Sequence, residues 1–323
     1  MKVVDMHCDT ILELYKARER GEEISLLDND LHIDLKKMEA GDYFLQNFAL
    51  FVDLKGTEDP FLTCVRMADL FYQVMEENRD RISPVTTWAE IERNWKEGRM
   101  SALLTLEEGE VCQGDPALLR TLYRLGARMM TFTWNYENSL AWPGREGGLP
   151  ETEKGLKERG FEILEEMEAL GMIVDVAHLS DAGIWDVLRT AKKPFVASHS
   201  NARSLASHAR NLTDEMIRAI AEKGGVIGIN YYCNFLEDIP EGGRQISRIS
   251  RMVEHMKHIR QVGGAGCIGL GSDFDGIYGE VEIRNSAGLP RLAEAMESAG
   301  FTAGEVEAVF HGNVLRLYRE VLK

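Results

Sequence analysis

Eight short apolar runs alternate with helix-like stretches along this chain, and that alternation restricts its fold more than any other feature. The runs fall at 2–9, 44–53, 101–108, 127–134, 171–178, 194–199, 225–232 and 266–273. They are near-continuously hydrophobic, as strands covered on both faces are. Helical spacing marks 61–78, 116–125, 158–170, 181–191, 213–223 and 246–262 between them. Thr213 reads as an N-cap, Gly263 and Gly264 as an αL helix end, and Gly312-Asn313 as a turn or helix start in a closing helical stretch, 301–323. Repeated β-α units imply parallel strands joined by right-handed crossovers.

The ends of these runs are polar. V-V-D-M-H-C-D ends on His7 and Asp9, A-L-L-T-L-E-E-G on Glu107 and Glu108, M-I-V-D-V-A-H on His178, and P-F-V-A-S-H on His199. The last run leads into Ser272-Asp273-Phe274-Asp275-Gly276. A doubly wound sheet gathers such residues at one switch point. Here they recur nearly all the way round, as at the carboxyl-end mouth of a closed barrel. The expected fold class is α/β, a (β/α)8 TIM barrel, forming one domain over 1–323.

Composition narrows the partners. With 44% hydrophobic residues in 323, a large core is available. A net charge of −16 disfavours nucleic acid and anionic membrane surfaces. No run is apolar enough for a membrane span, and the amino terminus enters the first strand without a leader-like segment. The five cysteines are scattered, without C-x-x-C spacing, which suits reduced thiols and a cytoplasmic protein. The turn-rich stretch 135–155 is a candidate wall or lid over the mouth.

In an extended strand, residues i and i+2 share a side, so His7 and Asp9 can face one ion while Cys8 turns to the core. Asp5 lies deeper and reads as a structural hydrogen-bonding group. His178 and His199 end consecutive strands and can share a second ion. Glu107 or Glu108 can bridge the two, which sets a metal pair about 3.5–4 Å apart and able to polarise a carbonyl and activate a water. Asp273, with Asp275 as its alternative, is placed to bind metal or act as a general base. Arg210 can clamp a substrate carboxylate, with Arg203 and His208 as alternatives. His32, His255, His258 and His311 are assigned no chemistry.

Taken together, D-M-H-C-D-T, L-E-E-G, L-L-R-T-L-Y-R-L-G, V-D-V-A-H-L-S, S-H-S-N-A-R-S, R-N-L-T-D and G-S-D-F-D-G resemble the membrane dipeptidase family, zinc peptidases with an amidohydrolase-type barrel. The resemblance implies two Zn2+ per chain. His7 and Asp9 would hold one, His178 and His199 the other, and Glu107 rather than Glu108 would bridge. It implies Asp273 as the acid/base, Arg210 on the substrate carboxylate, and hydrolysis of small dipeptides by a metal-bridging hydroxide, L-Xaa-D-Xaa included. It also implies a homodimer. Two positions depart from the family. Trp134, in T-F-T-W-N with Asn135, replaces a substrate-holding His, and Phe235 falls where a Tyr is common. Trp134, Asn135 and Phe235 are therefore the expected substrate-contacting set beside Arg210. Trp134 also admits an alternative substrate, an N-acyl amino acid or a lactam.

Overall fold

The computed structural model describes residues 1–146, 149–150 and 153–323. Eight parallel strands form the barrel: β1 (Val3–Asp5), β2 (Tyr43–Phe51), β3 (Met100–Glu107), β4 (Met129–Thr131), β5 (Ile173–Asp175), β6 (Val196–Ala197), β7 (Val226–Ile229) and β8 (Ile268–Leu270). They pair in chain order, and β8 returns to β1 with Leu270 opposite Asp5. The expected closed (β/α)8 barrel is thus the observed one. β1 and β4 to β8 are each shorter than the apolar run that contains them, because the run continues into the buried start of the following loop, whereas β2 and β3 begin one residue before their runs.

One strand of the barrel sheet was not legible. Ile82–Val85 pairs with the first half of β3, Ile82 opposite Met100 and Val85 opposite Leu103. Since β2 occupies the other edge of β3, this strand lies in line with β4, which pairs only from Thr105 onward. Its four residues include Pro84, which breaks the apolar alternation.

The helices Pro60–Glu77, Pro116–Arg124, Glu158–Leu170, Asp181–Thr190, Asp214–Glu222 and Ile249–Gly263 match the periodic stretches. Thr213 does cap its helix, its hydroxyl accepting from the Met216 N–H, a contact worth about 1 kcal/mol. The Gly264 cap differs from the αL form: its backbone is extended, at φ 87° and ψ 160°. Of the two readings of Gly312-Asn313 the helix start holds and the turn does not: a π-helical segment, Ala308–Gly312, runs directly into the helix Asn313–Val321. That last helix plugs the barrel floor. Val314, Leu317, Tyr318 and Val321 pack against Val4, Leu103, Ile173, Val196 and Val226 from the strands. The Tyr318 hydroxyl accepts from Asn47 Nδ2 at 2.6 Å, so the plug is bonded to the barrel interior as well as packed. With the floor closed, the opposite end is the face left for chemistry.

Of the loop expected over that face, residues 147–148 and 151–152 lie outside the described residues. The part before them is bonded to its surroundings: Gly144 N–H donates to His178 O at 2.6 Å and Trp142 N–H to Gly155 O at 3.2 Å. Among the described residues, no helix is long and apolar enough to cross a membrane.

Candidate metal centre

Five expected ligands from four strand ends converge at the barrel mouth. Glu107 stands between them. Its Oε2 lies 3.1 Å from His7 Nε2, and its Oε1 lies 3.1 Å from His178 Nε2 and 3.8 Å from His199 Nε2. Asp9 Oδ2 is 3.8 Å from His7 Nε2. Two donor groups result, His7–Asp9–Glu107 and Glu107–His178–His199, and either could hold an ion. His7 also groups with His199 and Asp273 in the same way. The open choice between the two glutamates is settled geometrically: only Glu107 faces this cluster.

The hydrogen bonds around the ring nitrogens test whether a cation fits. His178 Nδ1 meets Asn135 Oδ1 at 3.1 Å, an acceptor, so Nδ1 carries the proton. Ser198 Oγ donates to Asp175 Oδ2 at 2.6 Å and therefore accepts from His199 Nδ1 at 2.8 Å. Both imidazoles are thereby left with lone pairs on Nε2, and those two atoms face each other at 3.0 Å. Glu107 Oε1 approaches the same two atoms. His7 Nε2 and Asp9 Oδ1 are also buried without a hydrogen-bond partner. A divalent cation in either donor group would give these atoms partners, and N and O donors of this kind suit metals such as zinc.

The electrostatics of the His178 and His199 rings point the same way. Burial, with the nearby Arg210 and His7 charges, holds His178 and His199 well below the usual imidazole range. They are neutral at pH 7, the form that coordinates metal. Burial also opposes a charge on His7, but the Glu107 and Asp9 carboxylates outweigh it and raise that ring well above its ordinary value. Burial pushes Asp273 up to about 7, with His7 opposing. Asn230 Nδ2 donates to Asp273 Oδ2 at 2.9 Å, while Oδ1 lies 3.8 Å from His7 Nε2. Asp275 is committed elsewhere, accepting from Thr10 Oγ1 at 2.7 Å and from the His32 N–H at 2.6 Å. His178, Asp273 and Asp275 have φ of 66°, 61° and 68°, so three non-glycine residues at the mouth hold strained backbone.

Arg210 is buried beside this cluster. It donates to His199 O at 3.2 Å and Ser200 Oγ at 3.4 Å, while its buried Nε has no partner. Burial lowers its guanidinium to about 10, still charged at neutral pH. Its two alternatives are otherwise engaged: Arg203 forks onto Asp181 at 2.7 Å, and His208 Nδ1 accepts from the Arg210 N–H at 3.1 Å. Phe235 lies 5.3 Å from the Arg210 guanidinium. A cavity of about 800 Å³ opens above the ligands, with Trp134, Asn135 and Phe235 on its wall. The Trp134 ring sits 4.8 Å from Phe51 and 6.2 Å from His178.

Several contributors were not read from the sequence. Asp175 accepts from Thr131 Oγ1, Ser198 N and Ser198 Oγ and so anchors the His199 ring. An aspartate inside the apolar run M-I-V-D-V was the available signal. Tyr232 lines the cavity beside Phe235, so an aromatic hydroxyl is present after β7 although Phe235 lacks one. Asp5 makes the structural bonds expected of it, to the N–H groups of His7 and Ser272 at 3.2 and 3.0 Å. All five cysteines are buried and unpaired.

Comparison with known proteins agrees with this geometry. The model of the membrane dipeptidase family, peptidase family M19, matches residues 1–323. An uncharacterised dipeptidase of Schizosaccharomyces pombe is 31% identical over 340 aligned positions, covering 99% of this chain and 80% of its own. A metallopeptidase from Rhodobacter sphaeroides, solved with a phosphinate mimic of the dipeptide L-Ala-D-Ala, is similar at TM-score 0.91 and 27% identity, covering 99% of each chain. A solved M19 dipeptidase gives TM-score 0.90 at 29% identity, over 100% of this chain and 99% of its own.

Proposed function

The chain belongs to the membrane dipeptidase family, M19, and on that footing we propose that it is a di-zinc dipeptidase acting on small dipeptides with a free terminal carboxylate, L-Xaa-D-Xaa included. The observation that carries the reading is Glu107, which offers one oxygen to each of two ligand pairs. His7 and Asp9 would hold one ion, and His178 and His199 the other. Zinc bound there would polarise the scissile carbonyl and supply an activated water at neutral pH.

The remaining roles fall to the chain's own groups. Arg210 places its partnerless N–H on the substrate carboxylate, and its burial strengthens that charge-assisted bond. Anchoring one end fixes the scissile bond over the ligand cluster. Asp273 keeps Oδ2 on Asn230 and leaves Oδ1 to take a proton and return it to the leaving amine. Trp134 and Phe235 wall the site, and Trp134 supplies an apolar face where the family resemblance would place a substrate-holding imidazole. Acceptance of a D-residue is supported by the L-Ala-D-Ala mimic bound to the Rhodobacter sphaeroides relative. We further propose that 1–323 acts as one catalytic domain, in the cytoplasm and as a homodimer.

The test is a side-by-side comparison of kcat/KM on L-Ala-L-Ala, L-Ala-D-Ala and L-Leu-D-Ala against N-acetyl amino acids and small lactams. Dipeptide cleavage, with the D-residue tolerated, is expected. Inert dipeptides with good N-acyl or lactam turnover would keep the site and move the substrate, making Trp134 its determinant.

A further inference from the structure

Two glutamates stand together at the end of β3, and only Glu107 enters the donor cluster. At Glu108 the backbone turns to φ 92°, a conformation side-chain-bearing residues rarely adopt. The turn sends the Glu108 carboxylate sideways, under the loop that follows β4, where it is fully buried. Its Oε2 accepts from the Trp134 N–H at 2.9 Å. Its Oε1 accepts from the Glu110 N–H at 2.9 Å and from Asn138 Nδ2 at 2.5 Å.

Asn138 passes the restraint on. Its Nδ2 also donates to Phe132 O at 2.7 Å, and its Oδ1 accepts from the N–H groups of Leu140 and Ala141 at 2.8 and 2.9 Å. Glu110 Oε2 accepts from the Ser139 N–H at 2.7 Å. The two loops touch at the backbone: a Cβ on Gly109 would stand 2.5 Å from Phe132 O. The segment held in this way carries Trp134 and Asn135, and Asn135 accepts the His178 Nδ1 proton.

We infer that Glu108 is a positioning residue: by fixing the backbone at Trp134 and the amide of Asn138, it keeps Asn135 on His178 and the Trp134 ring beside the metal ligands. The inference rests on the metal-centre reading above. Strained backbone persists where surrounding bonds over-determine it, and Glu108 has three. Each of them is an N–H donor, so the site fits a carboxylate and not an amide. Glu108→Gln keeps the shape and turns an NH2 toward at least one of those donors.

The experiment is calorimetric titration of Zn2+ into chelator-stripped wild type, Glu108→Gln and Asn135→Ala, with KM and kcat on L-Ala-D-Ala measured alongside. Wild type is expected to take up two equivalents. In Glu108→Gln one equivalent should bind about tenfold or more weakly, in the range seen when a ligand's supporting bond is lost, and KM should rise by a larger factor than kcat falls. Asn135→Ala should reproduce the weakened equivalent with a smaller change in KM, because Trp134 stays held. Wild type with two equivalents and both variants unchanged in zinc affinity and KM would overturn the inference and leave the metal centre standing. Wild type without a pair of ions would overturn both. Should Glu108→Gln fail to fold, Asn135→Ala decides alone, and unchanged zinc affinity there overturns the inference.

Discussion

At the scale of single residues, the donor cluster is set by how closely backbone can approach it. A Cβ on Gly276 would stand 2.0 Å from Asp9 Oδ2 and 2.6 Å from Asp273 Oδ1. Gly276→Ala should therefore displace Asp9 and cost the zinc shared by His7 and Asp9, so elemental analysis should find close to one zinc per folded chain. Asp273→Asn keeps the shape without the proton acceptor. It should retain both ions while kcat falls roughly 10²- to 10⁴-fold. Arg210→Lys keeps the charge but loses the partnerless Nε–H. The lost bond is worth about 1.5–3 kcal/mol, so KM should rise roughly 10- to 150-fold with kcat less affected. Residues that carry charge at strand ends were legible, since His7, Asp9, His178 and His199 stand out against apolar runs. Those acting through another side chain were not. Ser198 looks like an ordinary strand residue, Asp175 signals only as an aspartate inside an apolar run, and only the folded barrel puts them behind the His199 ring. Strand-end chemistry alone leaves Glu107 and Glu108 open, the family resemblance favours Glu107, and the backbone φ of 92° at Glu108 is what turns the second carboxylate away from the cluster.

At the scale of elements, the barrel strands and main helices were readable because burial on both faces leaves a strand nearly all apolar, and burial on one face leaves a helix periodic. What periodicity misses is what has none. Ile82–Val85 is short and contains Pro84, and the π turn Ala308–Gly312 has no apolar period of its own. Helix Ile249–Gly263 contributes a further restraint. His255 accepts the Ala202 N–H on Nδ1 at 3.0 Å and donates from Nε2 to Leu236 O at 2.9 Å, tying the loops after β6 and β7 together. Burial lowers this ring from 6.5 to about 4. The unfolded chain therefore takes up a proton near pH 6.5, and the folded chain does not until about pH 4. Stability from the neutral ring is complete above pH 6.5 and is lost as pH falls toward 4, by roughly 3 kcal/mol. Urea midpoints at pH 7.5 and 5 should differ less in His255→Gln than in wild type.

At the scale of the whole molecule, the last helix closes one end of the barrel and the donor cluster occupies the other. Such a cluster, with buried carboxylates and partnerless ring nitrogens, is costly without cations. Removing metal should therefore lower the melting temperature as well as the activity. An ion at a thousandfold excess over its Kd contributes about 4 kcal/mol, on the order of 5 °C for a chain of this length. The folded apoprotein should melt lower by about that much for each site emptied. The net charge of −16 should keep it from binding nucleic acid at physiological salt.

The most direct measurement is stepwise reconstitution. The protein is stripped with chelator, Zn2+ is added in fractions of an equivalent, and L-Ala-D-Ala hydrolysis is followed at each step. The account predicts no activity in the stripped protein and a rise to a plateau at two zinc ions per chain. Hydrolysis that survives stripping, or fully loaded protein that leaves dipeptides intact, would contradict it.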